Sequence, residues 1–226
     1  MELFFDTLRI ILTDKAYWFL AIMIALSAIV KLQLPKIRGA SGERIVRRRL
    51  NKLGDEYRSY HDLYIHDQQF GLTQVDHIVV SKFGVHVIET KNYTGWIFGS
   101  EHQKYWTQTI YKNKQKFYNP IRQNYGHVEA LKSHLNMIAL PAYSIIAFSS
   151  KAEFKFKEPF HSAEVIHYRK LVKTIKQDDR QRLTDHERKR IISSLDELDQ
   201  LPKKKKKAIR KMHLRQVREK QQAARI

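Results

Sequence analysis

The residues best suited to chemistry lie in the stretch Gln74-Val-Asp-His-Ile-Val-Val-Ser-Lys-Phe-Gly-Val-His-Val-Ile-Glu-Thr-Lys91, which reads as a β-hairpin turning within Ser81 to Gly84. With the turn centred between Lys82 and Phe83, Val80 faces Val85 and Asp76 faces Glu89. Opposed residues on antiparallel strands have Cβ atoms about 5 Å apart, where two carboxylates repel. A divalent cation between them removes the conflict, and Mg²⁺ (or Mn²⁺) is suited to one or two carboxylates completed by water and phosphate oxygens. Alternation places Lys91 on the same face as Glu89. A metal that polarises phosphate and activates water, with a cation beside the developing negative charge, supplies the parts of a phosphodiester displacement. Two readings compete. A three-residue loop Lys82 to Gly84 shifts the register by one and sends the carboxylates to opposite faces; alternatively, Glu89 and Lys91 are an exposed strand pair with Asp76 in a solvated end.

Two further polar residues stand out. Glu43 shares 3, 4, 3 spacing with Val46, Leu50 and Leu53, so an acid occupies the core-facing stripe of a helix; an N-terminal Glu complementing the helix dipole is the equal alternative. Gln123 falls in the first turn of a helix opened by Asn119-Pro120, beside free backbone N–H groups. Downstream of the hairpin, Tyr93, Trp96, Phe98, Tyr105 and Trp106 are interleaved with Lys104, Lys112, Lys114 and Lys116, a composition that stacks bases and holds phosphates, although at least half of these rings read as sheet packing. His77 and His86 fall on the hairpin face away from Asp76 and Glu89.

The elements that must position these groups follow from periodicity. A helix spans Gly42 to Leu53 with Ser41 as N-cap, followed by short strands at His61–His66, Gln74–Val80, Val85–Lys91, Trp96–Phe98 and Tyr105–Tyr111. After the Pro120 helix come strands at Ser144–Ser149 and Ala163–Tyr168 and helices near Arg169–Lys176 and Thr184–Leu201. This order predicts an α/β fold with a mixed sheet flanked by helices.

Composition bounds the partners. The chain has 226 residues and no Cys, which removes disulfides, thiolate metal sites and Cys nucleophiles and suits a reducing compartment. Its formal charge is +19, of which residues 203–226 carry +10, and this basic tail is expected to be helical. Nucleic acid and anionic lipid both attract such a surface. Ala16 to Val30 carry no charge, and with Leu32 and Leu34 the run approaches the roughly 20 residues of a membrane crossing. The basic residues after it predict a single-pass anchor in the cell membrane, helix about 16–34, with the N-terminus outside and the following domain cytoplasmic. Residues 2–12 read as amphipathic. The expected organisation is therefore an anchor over 1–35, a domain over 36–202 and the tail over 203–226.

The ordered set Gly42-Glu43, Gln74 to Val80, Gly84 to Asn92, Gly95-Trp-Ile-Phe-Gly99 and Asn119-Pro-Ile-Arg-Gln-Asn124 closely resembles the nuclease-related domain (NERD) family over about residues 37–150. That family is placed with the PD-(D/E)xK, restriction-endonuclease-like nucleases; Val75 stands where many restriction enzymes have Pro. The resemblance implies a restriction-endonuclease-like mixed central sheet and an active-site set of Glu43, Asp76, Glu89, Lys91 and Gln123. The expected activity is metal-dependent hydrolysis of nucleic-acid phosphodiesters, with Asp76 and Glu89 as the metal ligands. The alternative is a non-catalytic platform for nucleic acid or anionic lipid on the same fold.

Overall fold

Alternation of apolar residues with a short turn brings β2 (Gly71–Ser81) and β3 (Gly84–Lys91) together as an antiparallel hairpin, with Val80 paired to Val85 and His77 to Ile88. This is the register of a turn centred between Lys82 and Phe83, so the three-residue-loop alternative is not adopted. Gly84 closes the turn at φ +133°, a conformation that disfavours a side chain, and a Cβ there would sit 2.7 Å from the Tyr143 ring. The computed structural model describes residues 15–67 and 71–223. The amphipathic reading of residues 2–12 lies outside them.

The described residues divide into two compact units between Ser41 and Gly42. One helix, α1 (Lys15–Leu50), stands where the sequence predicts two, over about 16–34 and over Gly42–Leu53. Among the described residues no helix is long and apolar enough to cross a membrane. The expected single-pass anchor, its outside N-terminus and the membrane localisation are corrected accordingly.

In the second unit the hairpin forms the centre of a five-stranded mixed sheet, ordered β1 (Arg58–Asp67), β2, β3, β7 (Ala142–Phe148), β9 (Glu164–His167). β3, β7 and β9 run parallel, while β1 and β2 are antiparallel to their neighbours. A second mixed sheet, ordered β6 (Asn113–Tyr118), β5 (Tyr105–Ile110), β4 (Gly95–Phe98), β8 (Ala152–Phe154), was not separated in the sequence reading, which lacked β6 and β8. Val85 and Val87 pack with Val128 and Leu131 of α2 (Pro120–Leu135) and with Ile191 and Leu195 of α4 (Asp185–Asp199). On the opposite face Val79, Ile88 and Ile145 meet Val46 and Leu50 of α1 and Leu171 and Ile175 of α3 (Leu171–Ile175). The chain is thus a mixed α/β fold with two mixed sheets flanked by helices. The basic tail is a helix, α5 (Lys203–Ala223), and it rests on the sheet: His213 Nδ1 lies 3.0 Å from the Leu72 carbonyl, and its ring meets Tyr64 edge-on.

Candidate active site

Helix α2 starts where it does because Asn119, wholly buried, accepts the Ile121 N–H at 2.9 Å while Pro120 presets the first helical φ. The Asn119 amide donates in turn to the Glu101 and Gln103 carbonyls, fastening the helix end to the 100–103 loop. One turn on, Asn124 donates to the Val87 carbonyl at 2.9 Å and to Ser144 Oγ at 2.7 Å. These ties fix α2 against β3 and β7 and aim Gln123 and His127 at the end of β3.

Four side chains meet there. Lys91 Nζ donates to Glu89 Oε1 at 2.6 Å and to Gln123 Oε1 at 3.0 Å. His127 Nε2 stands 3.3 Å from Glu89 Oε2, and its Nδ1 lies 2.8 Å from Thr73 Oγ1. The geometry leaves Glu89 Oε2 buried without a hydrogen bond. Glu89 is only 3% exposed. Burial alone would raise its pKa, but Lys91 and His127 outweigh burial and hold the carboxyl well below its usual range. Burial likewise opposes the charge on Lys91, and Glu89 more than restores it, so the ammonium is firmly protonated.

Asp76 completes the group by a different route from strict pairing. The paired ladder of the hairpin runs to His77 and Ile88, and one residue further Asp76 Oδ2 accepts the Thr90 N–H at 2.8 Å. Its side chain does the work of a backbone carbonyl where the ladder stops. Burial and then the charge of Glu89 push its pKa well up, against the Thr90 hydrogen bond and Lys91. Across β2, β1 is distorted at Asp62, which has φ +55°. Glu43, half-buried on α1, has its pKa raised by burial and then by Asp62 and Glu89. Gly42 beside it permits the approach, since a Cβ would lie 2.7 Å from Tyr168 Oη and 2.8 Å from Asn92 Cβ.

All five residues singled out in the sequence therefore lie at one end of the β2–β3 hairpin. His127 was missed, although its i, i+4 spacing from Gln123 on an amphipathic helix was the available signal. His86 stacks on Tyr143, and His77 approaches His61, Nδ1 to Nδ1 at 2.8 Å; neither is hydrogen bonded to the cluster. Fewer of the downstream aromatics are packed than expected: Tyr93 and Trp106 pack in a core with Phe148, while Trp96, Phe98 and Tyr105 are exposed.

The donor set fits a divalent ion of the magnesium kind. Two carboxylates are close enough to perturb one another, and one of them keeps a buried oxygen without a hydrogen bond. Among the described residues no group of three or more His, Asp or Glu is placed to hold a metal, so water or substrate would have to supply the other ligands. Beside Gln123 and His127 opens a cleft of about 780 Å³, walled by α2, the Glu101–His102 loop, the start of β2 and α5.

The model of a family described as "Nuclease-related domain" matches residues 38–149. An uncharacterised protein of Bacillus anthracis is 38% identical over 179 residues, covering 78% of this chain and 84% of the relative. No solved structure matches the chain.

Proposed function

The chain belongs to the nuclease-related domain family, and from that premise we propose that it hydrolyses nucleic-acid phosphodiesters with Mg²⁺ or Mn²⁺ at the end of the β2–β3 hairpin. Family membership points to nuclease-related function and to nucleic acid as the partner. The observation that carries the finer reading is the buried Lys91 ammonium, held between Glu89 and Gln123 beside a second carboxylate, Asp76, whose pKa is raised by burial and then by Glu89.

Asp76 and Glu89 would hold the ion, which supplies Lewis acidity toward a phosphate oxygen. The remaining work falls to the chain's own groups. Lys91 presents a desolvated positive charge to the oxygens that gain charge as water adds to phosphorus and the P–O bond to the leaving oxygen breaks. Gln123 fixes the direction of the Lys91 side chain. His127, between Thr73 and Glu89, is a positioning residue that orients the Glu89 carboxylate. Glu43 adds negative charge that favours a cation at Asp76 and Glu89.

The test is cleavage of single- and double-stranded DNA and RNA by the full chain in Mg²⁺, Mn²⁺ or EDTA. Wild type should cut only with metal. Asp76→Asn and Glu89→Gln should abolish turnover, and Lys91→Ala should lower it about 10²- to 10³-fold while metal still binds. Absence of any cleavage by wild type would overturn this reading in favour of a nucleic-acid platform without turnover, a reading that draws on the Lys91 ammonium already standing at Glu89.

A further inference from the structure

The cleft beside the cluster has a wall chemistry of its own. Tyr118, at the end of β6, and Tyr125, on the first turns of α2, both line it and are 43% and 60% exposed. Rings this exposed at the edge of a cleft stand ready for a flat partner. Arg122 and His102 line the same cleft, and Arg122 Nη1 donates to the His102 carbonyl at 3.4 Å. The acid of this lining, Glu101, has its carboxylate turned to the His161 and Ser162 N–H groups at 2.9 Å each.

The facing wall is α5. His213, Gln216 and Val217 line the cleft, while seven exposed cations, Lys204, Lys205, Lys207, Arg210, Lys211, Arg215 and Arg218, stand elsewhere on the helix. Arg210 is within electrostatic reach of Glu43 and of Tyr64. The cleft is continuous with the candidate active site, because Gln123 and His127 belong to both.

We infer that this cleft is a binding site for one unpaired nucleic-acid strand, its bases stacking on Tyr118 and Tyr125 and its phosphates tracking Arg122 and α5 toward Lys91. The inference rests on the nuclease reading above and deepens it by naming the substrate class. A cleft of about 780 Å³ is of the size that encloses small ligands, with roughly 300–1,000 Å³ as the usual range, which admits a few nucleotides of one strand rather than a stacked pair of strands. Exposed rings bind such strands because every base has a π-face once it is unstacked from a duplex, and a basic groove follows the backbone without reading sequence. The tail helix, on this account, is part of the substrate site.

Fluorescence anisotropy of the full chain in EDTA, with labelled single-stranded DNA, single-stranded RNA and blunt duplex of equal length, separates binding from turnover. Single strands should bind at least tenfold more tightly than duplex. Tyr118→Ala and Tyr125→Ala should each weaken single-strand binding about tenfold, while Tyr111→Ala, 97% exposed on a turn away from the cleft, should not. Both cleft rings are exposed enough for their loss to leave the fold intact, and matching melting curves check this. Equal or tighter binding of duplex, or tyrosine variants that bind like wild type, would overturn the inference. Metal-dependent cutting of duplex that is unaffected by the tyrosines would sink the strand site and leave the nuclease reading standing; tight single-strand binding without cleavage would do the reverse.

Discussion

At the scale of single residues, the decisive feature is that two carboxylates of the same kind are driven in opposite directions: Glu89 is held ionised by Lys91 and His127, and Asp76 is held toward its protonated form by burial and by Glu89. A carboxyl whose folded pKa exceeds its unfolded value loses stability for the protein as pH rises through that interval. Asp76→Asn removes this penalty and keeps an oxygen for the Thr90 N–H. Thermal melts in EDTA should find it as stable as wild type at pH 4 and more stable at pH 8, whereas Mn²⁺ should raise the melting temperature of wild type and not of the variant. Lys91→Ala should behave oppositely, destabilising the apo protein by roughly 3–5 kcal/mol because Glu89 is left buried without its main counter-charge; Glu89→Gln combined with Lys91→Met should recover much of the loss. Asp76, Glu89 and Lys91 were legible because a two-residue period and one turn suffice to juxtapose them. His127 was not, since its role depends on how α2 is set against β2 and β3, which Asn119 and Asn124 determine through contacts distant in sequence.

At the scale of elements, the site depends on how closely α1 and the sheet approach. Gly42→Ala should cost about 1–3 kcal/mol by overpacking against Tyr168 and Asn92, and should lower metal affinity by shifting Glu43. Gly39→Ala, with nothing within 4 Å, should be neutral or stabilising, as a helical glycine exchanged for alanine gains up to about 1 kcal/mol. Denaturant titrations of the two variants compare them directly. The β1–β2 pairing adds a pH dependence: burial lowers the pKa of His61 to about 4 and that of His77 to about 3. Because the unfolded chain takes up these protons near pH 6.5 and the folded one does not, their stability is fully present above pH 6.5 and is lost as pH falls toward 4. His61→Gln should flatten the acid limb of a melting-temperature profile. Strand positions were readable from alternation, but the second sheet was not. β6 is largely exposed and lacks a buried stripe, and β8 is only three residues long, so neither carries an apolar pattern.

At the scale of the whole molecule, the basic C-terminal helix changes meaning once it is placed. From sequence it reads as a tail that adds charge; in the structure its Ile209, His213, Gln216 and Val217 side is half-buried, and His213 reaches the Leu72 carbonyl and the Tyr64 ring. Deleting residues 203–226 should therefore lower the melting temperature as well as nucleic-acid affinity, while Gln in place of Lys204, Lys205, Lys207, Arg215 and Arg218 should spare the fold. For a single strand the salt dependence of log affinity should then flatten by about 0.7 for each phosphate contact removed. The membrane reading failed at this scale too. Among the described residues no helix combines the length and the apolar content that a membrane crossing needs.

The last rung of the β2–β3 ladder is a side chain, Asp76 Oδ2, holding the amide of Thr90. A ligand that engages this oxygen competes for the electrons that protect one particular proton. Deuterium uptake at the Thr90 amide is thus a local meter of occupancy: a cation drawn to Asp76 should quicken exchange at that position while slowing it across the surrounding strands.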